Sequence, residues 1–210
     1  MALKELKLKK PDDLKEILYE HKILTLLNQN NIFLKYFGLF KQKSGMDYVI
    51  EMPRGDGDLR NVLGMRKKQN QLYNENEIAY IFKLLINQYD LMEQKGIAHC
   101  DVKPANVILI KNNDKNDDFM YCVSDFGISF MLEKNQKLIP CQDLAGFTEK
   151  YAAPEIIQIE KEENTFSTYD PFSADVYSLG ILILDLLGTS KEKFLENHSE
   201  SDQVFLIKGF

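Results

Sequence analysis

The sequence predicts an α+β fold in two parts, a small part of strands with one helix followed by a mainly helical part. Short apolar runs typical of strands surround one amphipathic stretch before residue 53. Long stretches with helical apolar spacing dominate from residue 75 onward. Pro53–Gly57 interrupts both patterns, so we predict that it links the two parts.

The first part is predicted to contain a strand, a helix and two further strands. In that order they cover residues 1–8, 12–27, 32–41 and 48–52. Asp12 or Asp13 can cap the helix, because the two aspartates come after Pro11 and just before the apolar pattern begins. Ser44–Gly45 is a turn signal between the last two strands.

The second part is predicted to be built around two helices. The first covers residues 75–94 and should end at Gly96, and the second covers the Leu- and Ile-rich residues 174–187. Between them we predict two short strands at residues 107–110 and 121–123, with a polar insertion at residues 111–118 between the strands. An irregular segment is predicted at residues 125–155. The tail after Leu187 is polar except at its end.

Composition excludes several classes of protein. The 210 residues are 44% apolar and 28% charged, as in an ordinary globular protein. The net charge of −6 argues against a general nucleic-acid binder. Three cysteines without metal-ligand spacing suggest reduced thiols in the cytosol or nucleus, so we expect a cytoplasmic protein, with a nuclear location as the alternative. The longest apolar stretch is too short to span a bilayer, and we expect no membrane contact.

A polar loop directly after the long helix carries the clearest chemical signal. Its sequence His-Cys-Asp-Val-Lys-Pro-Ala-Asn begins at His99 and places Asp101, Lys103 and Asn106 close together. The aspartate can accept a proton from a hydroxyl, the lysine can offset charge on a phosphoryl group, and the asparagine offers an oxygen to a metal. The alternative is a polar turn before a strand.

Further motifs follow in a fixed order. Asp125-Phe126-Gly127 comes 19 residues after Asn106, Ala153-Pro154-Glu155 closes the irregular segment, and Asp175 begins a helix. Together with the polar loop, these motifs resemble the protein kinase family, from the third strand of its small lobe to its sixth major helix. Lys103 two residues after Asp101, and Thr148 in the segment, resemble the serine/threonine branch.

The resemblance implies a two-lobed, protein-kinase-like fold. Residues 1–52 would form an incomplete small lobe, an antiparallel sheet plus one helix, and residues 53–210 an incomplete, mainly helical large lobe. Together they would make one kinase domain with ATP between the lobes. The chain resembles a domain truncated at both ends, lacking the strands of the glycine-rich loop and the distal helices. We therefore expect at most weak activity from residues 1–210 alone.

The resemblance also assigns catalytic roles. Asp101 would be the catalytic base, Lys103 would lie near the γ-phosphate, and Asn106 with Asp125 would bind Mg²⁺. Lys4 would hold the α- and β-phosphates of ATP and pair with Glu20. The alternative for that pair is two solvated surface charges. His99 and Asp175 would hold the loop without touching substrate.

A nucleotide-binding surface is implied around the end of the first part. Ile50 would lie behind the adenine, with Glu51 and Met52 forming the hinge and the Glu51 carbonyl facing the adenine amino group. Ala2 and Ile108 would sandwich the ring, and Asp58 would bind the ribose. The alternatives are strand core for the isoleucines and a helix N-cap for Asp58.

Three departures from the family bear on activity. Pro53 stands where the hinge often donates an N–H to adenine, which a proline cannot do. Cys100 replaces an arginine that in many kinases binds a phosphate of the segment, and the segment has no hydroxyl residue in its middle. We therefore expect activity that does not depend on phosphorylation there. Glu155 has no arginine partner that we can name, and it would be costly if buried unpaired.

The predicted function is ATP-dependent phosphotransfer to serine or threonine hydroxyls of protein substrates, with ATP and Mg²⁺ as cofactors. The alternative is a kinase-like pseudoenzyme or inactive fragment that acts as a protein-binding module. An unrelated P-loop protein is excluded because the sequence has no GxxxxGK[ST] motif. No motif identifies the protein substrate, the upstream regulator or the oligomeric state.

Overall fold

The computed structural model describes residues 1–10, 12–43, 47–111, 119–162 and 167–197. The turn predicted at Ser44–Gly45 and the C-terminal tail beyond residue 197 therefore lie outside the described residues. Of the polar insertion predicted at 111–118, Lys111 ends a strand and the remainder is also outside them. Mixed helices and short antiparallel strands confirm the α+β prediction.

The helices and strands alternate along the chain. The helices are α1 Asp13–Leu27, α2 Leu59–Lys68, α3 Glu75–Gln94, α4 Pro154–Glu162, α5 Pro171–Leu186 and α6 Lys191–Asn197. The strands are β1 Ala2–Leu6, β2 Gly38–Lys41, β3 Tyr48–Met52, β4 Gly57–Asp58, β5 Ile97–Ala98, β6 Val107–Lys111, β7 Phe119–Val123, β8 Phe130–Met131, β9 Ile139–Pro140 and β10 Thr168–Tyr169. Among the described residues, no helix is both long and apolar enough to cross a membrane.

The first sheet is antiparallel, with strand order β1-β3-β2. Its register places Lys4 opposite Ile50, which is fully buried. Because side chains alternate along a strand, Ala2 and Lys4 lie on one face of β1 while Leu3 and Glu5 are exposed on the other. Helix α1 buries one stripe of side chains, which includes Glu20. The sheet and α1 thus bring a lysine and a glutamate to the same side.

The prediction of α1 was correct in extent, but its start is held differently from the expected cap. Asp12 occupies the N-cap position without a side-chain hydrogen bond to the helix. The Asp13 carboxylate instead accepts the backbone N–H groups of Lys9 and Lys10, at 2.5 and 2.8 Å. The carboxylate therefore fastens the turn before the helix.

The third helix matches its predicted bounds because both ends carry strong local signals. Asn74 and Glu77 form a capping box at the start, each side chain bonding the other's backbone. At the end, Gly96 adopts φ 72°, and an added Cβ would lie 3.0 Å from the Leu132 carbonyl oxygen. Gln88 on this helix bonds the backbone of Tyr121 and Val123 at both ends of its amide. These bonds tie α3 to strand β7, which leads into the Asp-Phe-Gly motif.

Several predicted elements have different bounds in the structure, and two of them start at least three residues away from the predicted position. The strand expected at 32–41 is shortened to β2, because the Asn28 side chain bonds both the N–H and the carbonyl of Tyr36 and shapes a turn there. The helix expected from Ala174 begins at Pro171, since Asp170 caps it and proline suits the first helical position. Helices α4 and α6 were not predicted, and α2 was anticipated only through the alternative of a helix N-cap at Asp58.

Candidate active site

Several of the predicted site residues line one cavity of about 280 Å³ between the first sheet, α1 and the start of the segment after β7. These are Lys4, Glu20, Met52, Asn106, Ile108 and Asp125. They come from five separate stretches of the chain, so the fold must bring them together. The fold therefore brings six of the predicted site residues to one cavity, whereas the predicted catalytic residues Asp101 and Lys103 are not among the described residues that line it.

Lys4 is the centre of a three-residue ionic network. Its Nζ donates to Glu20 Oε1 at 2.7 Å and to Asp125 Oδ1 at 2.8 Å. Burial alone would lower the pKa of Lys4, but the charge of Glu20 and the hydrogen bond and charge of Asp125 outweigh it and raise the pKa. Lys4 is therefore a cation at neutral pH. The alternative of two solvated surface charges does not describe this pair, because the Glu20 side chain is only 7% exposed.

Asp101 is surrounded by hydrogen-bond donors. Its Oδ2 lies 2.5 Å from Lys103 Nζ and accepts a bond from Asn106 Nδ2 at 3.0 Å, while Oδ1 accepts a bond from Thr148 Oγ1 at 2.7 Å. Burial raises the pKa of Asp101, but the hydrogen bonds from Lys103 and Thr148 and the lysine charge lower it below its ordinary value. Asp101 is therefore ionised at neutral pH and can accept a proton.

The buried carboxylate of Asp175 holds the loop that carries Asp101 in place. Asp175 accepts the backbone N–H groups of His99 at 2.6 Å and Cys100 at 2.8 Å. His99 is fully buried and bonds the Ser124 carbonyl oxygen at 3.0 Å. Burial lowers the pKa of His99, so its ring is neutral. The bonds of His99 and Asp175 are with backbone groups of the loop and its neighbours.

Asp125 has an open carboxylate at the edge of the cavity. It adopts φ 66°, a left-handed conformation that aspartate tolerates better than most residues. Its side chain is 52% exposed, whereas the following Phe126 is only 2% exposed. The backbone turn thus directs the carboxylate outward and the aromatic ring into the core.

Three residues predicted to bind the nucleotide are not among the described residues that line the cavity. Ala2 pairs with Met52 across the sheet, and the Glu51 carbonyl accepts the N–H of Phe37 at 2.9 Å. Asp58 caps α2, accepting the Asn61 backbone N–H at 2.8 Å. The helix-cap alternative for Asp58 is therefore correct, and the ribose contact stays a prediction, as do the adenine contacts of Ala2 and Glu51.

The sequence did not predict which residues hold the end of the irregular segment, residues 125–155, in place. Thr148 was noted only as a branch marker, yet its hydroxyl also accepts a bond from Lys103 Nζ at 2.9 Å. Lys150 and Tyr151 both donate to Asp185 of α5, each at 2.6 Å. The polar character of these side chains was visible in the sequence, but no spacing rule points from Thr148 to Asp101, or from Lys150 and Tyr151 to Asp185.

The structure shows the surroundings of two residues at which the sequence departs from the family, Cys100 and Glu155. Cys100 packs against the apolar cluster that contains Ile139 and Tyr169, and burial raises the pKa of its thiol. An apolar contact therefore stands at the position of the family's arginine. Glu155 is exposed, so the cost expected for a buried, unpaired carboxylate does not arise.

Known proteins of one family are similar to this chain over most of its length. The family model that describes the protein kinase domain matches residues 1–208. The chain is 28% identical to the probable serine/threonine-protein kinase fhkA of Dictyostelium discoideum, over 90% of this chain and 34% of that protein. It is 30% identical to CBL-interacting protein kinase 11 of Oryza sativa subsp. japonica, over 83% of this chain and 31% of that protein.

A third relative, serine/threonine-protein kinase 17A of Oryctolagus cuniculus, is 24% identical over 93% of this chain and 46% of that protein. The chain therefore spans less than half the length of each of these three relatives. Over most of its length it resembles protein serine/threonine kinases. Because the family model covers almost every residue of the chain, the chain belongs to the protein kinase family.

Proposed function

We propose that the chain catalyses transfer of the γ-phosphoryl group of ATP to serine or threonine hydroxyls of protein substrates. One observation carries the proposal: an ionised Asp101 lies within hydrogen-bond distance of both a hydroxyl, that of Thr148, and a cation, that of Lys103. A base, a hydroxyl and a positive charge are the groups that phosphoryl transfer to an alcohol requires.

In this proposal each of the chain's site residues has a separate role. Asp101 orients the acceptor hydroxyl and accepts its proton, while Lys103 offsets charge on the transferring group. Lys4 binds the α- and β-phosphates, and Glu20 holds Lys4 in place through the 2.7 Å bond. The short bonds around Asp101 fix its carboxylate before substrate arrives, which reduces the entropic cost of aligning the reactants.

The donor set fits a magnesium ion. The described residues contain no cluster of three or more His, Cys, Asp or Glu side chains that could hold a metal by themselves. Asn106 and Asp125 both line the cavity, and Mg²⁺ is typically held by one or two side-chain oxygens with waters and phosphate oxygens. We propose these two residues as its ligands. When bound, the ion would offset the negative charge of the phosphates.

We propose that the adenine lies against Met52 and Ile108, with Ala2 above the ring, Glu51 at the hinge and Asp58 near the ribose. Met52 and Ile108 support this placement because both line the cavity. We also propose that residues 1–52 and 53–210 form the small and large lobes. All strand pairings among the described residues stay within one or the other of these two ranges.

The function is tested by adding Mg-ATP to residues 1–210 and measuring thermal stability and phosphotransfer. Specific binding should raise the melting temperature by mass action, and replacing Asp125 by Asn should reduce the rise. Transfer to a mixture of protein acceptors should yield phosphoserine or phosphothreonine, even at a low rate. Mg-ATP binding without any transfer, or no binding at all, would favour the alternative of a kinase-like protein-binding module.

The hinge gives a separate prediction. Replacing Pro53 by Ala restores a backbone N–H where the family donates one to adenine, so we expect Mg-ATP to bind about 2- to 10-fold more tightly, the worth of one hydrogen bond. Titration calorimetry measures this, and Pro154→Ala, at an exposed proline of α4, is the matched control. Unchanged affinity in Pro53→Ala would show that residue 53 does not face the base.

A further inference from the structure

Helices α3 and α5 enclose a groove that is separate from the proposed active site. Its volume is about 200 Å³, and none of the described residues that line it also lines the cavity around Lys4. We call it the α3–α5 groove, and it is defined by Phe82, Ile86, Asp90 and Glu93 of α3 with Val176 and Leu179 of α5. Nucleotide binding in the cavity therefore does not account for this second concave surface.

Each of the two helices contributes one stripe of side chains to the groove. The α3 residues recur at intervals of three or four positions, and the α5 residues are three apart, so each set lies on one helix face. Gly180 of α5 also lines the groove and has no side chain to fill the space between the helices. Ile86 and Val176 are 38% and 41% exposed. Apolar side chains on both walls are therefore available for contact.

The walls of the groove are held in place by contacts with the loop that carries Asp101. Tyr89 of α3, which also lines the groove, packs its ring against His99 with the ring centroids 6.3 Å apart. Asp175, on the α5 wall, accepts the backbone N–H groups of His99 and Cys100. The groove is therefore formed before a ligand arrives, and a preformed site loses little conformational freedom on binding.

The rim of the groove is acidic. Asp90 and Glu93 lie about one helical turn apart on α3, and the described residues that line the groove include no lysine or arginine. The Asp90 carboxylate accepts a bond from the Gln94 side-chain amide at 2.8 Å. In the described part of the chain, neither rim carboxylate takes part in an ion pair. The rim therefore favours a ligand that carries cations about one helical turn apart.

The size and the walls of the groove favour a helix over other occupants. Cofactors and small molecules usually bind in pockets of about 300 to 1,000 Å³, which are larger than this groove. An extended peptide needs unpaired backbone groups at the edge of a sheet, whereas both walls here are helices, whose backbone groups bond internally. A helix satisfies its own backbone groups and can insert apolar side chains from one face.

We propose that the α3–α5 groove binds a basic amphipathic helix of a partner protein. Apolar side chains on one face of that helix cover Ile86 and Val176, and lysine or arginine residues one turn apart pair with Asp90 and Glu93. The proposal goes beyond phosphotransfer and does not depend on it, because none of the residues that line the groove contacts ATP in the proposed function.

The first test measures the binding of a labelled synthetic helix to the full chain by fluorescence anisotropy. The probe is a peptide of about 14 residues made of leucine and lysine, with the leucines on one helix face. The same peptide with glutamate in place of lysine is the control probe. The chain should bind the lysine peptide and not the glutamate peptide. Equal binding of the two peptides, or binding of neither, would overturn the proposal.

Substitutions in the two walls then locate the binding. Val176→Lys and, on the facing helix, Ile86→Lys should each weaken binding about tenfold or more, because each places a charged side chain in the apolar part of the groove. Leu187→Lys is the matched control, since Leu187 is 45% exposed at the end of α5 and is not among the residues that line the groove. Equal weakening by all three substitutions, or by none, would show that the peptide binds elsewhere and would contradict the proposal.

The acidic rim is tested by removing its charge. Asp90→Asn combined with Glu93→Gln should weaken binding about 2- to 30-fold, the range for two exposed ion pairs, and by less at high salt. Asp143→Asn combined with Glu155→Gln is the matched control, because it removes the same charge from exposed positions outside the groove. Equal weakening by the two pairs would indicate general attraction to an acidic chain and would count against the proposal. A native dimer that Val176→Lys dissociates would also overturn it, because a second copy of the chain would then occupy the groove.

Discussion

Replacing Asp101 by Asn should lower the turnover number for phosphotransfer by about 10² to 10⁴-fold, the usual contribution of a positioned general base. Asparagine keeps the shape of the side chain and can still accept a bond from Lys103, but it cannot take up a proton. Affinity for Mg-ATP should stay within about threefold, because the Lys4 network is made by other residues. Rates are measured with labelled ATP and affinity by calorimetry.

Asp143→Asn is the matched control for this substitution. Asp143 is an exposed carboxylate in the same segment, so the chemical change is identical while the site is left intact. Because the pKa of Asp101 lies below its ordinary value, the base is already ionised at pH 5, and its titration should not affect the rate between pH 5 and 8. A variant that keeps more than a tenth of native activity would show that Asp101 is not the base.

The chemistry of the site was predictable from sequence wherever its residues are neighbours in the chain. Asp101, Lys103 and Asn106 lie within six residues, so one loop brings them together whatever the rest of the fold does. Helix α3 was predictable for a similar reason, since its periodicity, capping box and terminal glycine are all local signals. Local signals such as these can be recognised in a sequence without knowing which distant residues pack against the element in the folded protein.

The remaining contacts join residues that are far apart in the chain, and no local signal marks them. Thr148 and Asp101 are 47 positions apart, and Lys150 and Asp185 are 35 apart. Such pairs depend on how residues 148–151 pack against the loop that carries Asp101 and against α5. The roles of Lys4 and Glu20 were reached only through the family resemblance, because a lysine in a strand and a glutamate in a helix are common features.

Asp175 should prove the most costly polar side chain to remove for stability. Asp175→Ala leaves the buried N–H groups of His99 and Cys100 without their acceptor, at about 1–3 kcal/mol each. We therefore expect the free energy of unfolding to fall by about 2–5 kcal/mol, measured by urea denaturation. Asp175→Asn keeps one acceptor oxygen and should cost less. If the alanine variant loses under 1 kcal/mol, the carboxylate does not hold the loop.

The same carboxylate should make stability depend on pH. Burial raises the pKa of Asp175 from 3.8 to about 7, although its bonds from His99 and Cys100 oppose the rise. Between about pH 4 and pH 7 the folded chain therefore binds a proton that the unfolded chain has released, so the free energy of unfolding falls as pH rises through this window. Above pH 7 both states are ionised at this group and the slope ends.

Comparison with Asp175→Asn isolates this effect, because the amide does not titrate and the other ionisable groups, including the buried His99, are present in both proteins. From pH 5 to pH 8 the native chain should lose about 2–3 kcal/mol relative to the Asn variant, at about 1.4 kcal/mol for each unit between pH 5 and the folded pKa. Urea denaturation of both proteins at several pH values gives the difference. A difference that stays constant with pH would mean that Asp175 is ionised throughout, with its two backbone N–H bonds outweighing the cost of burial.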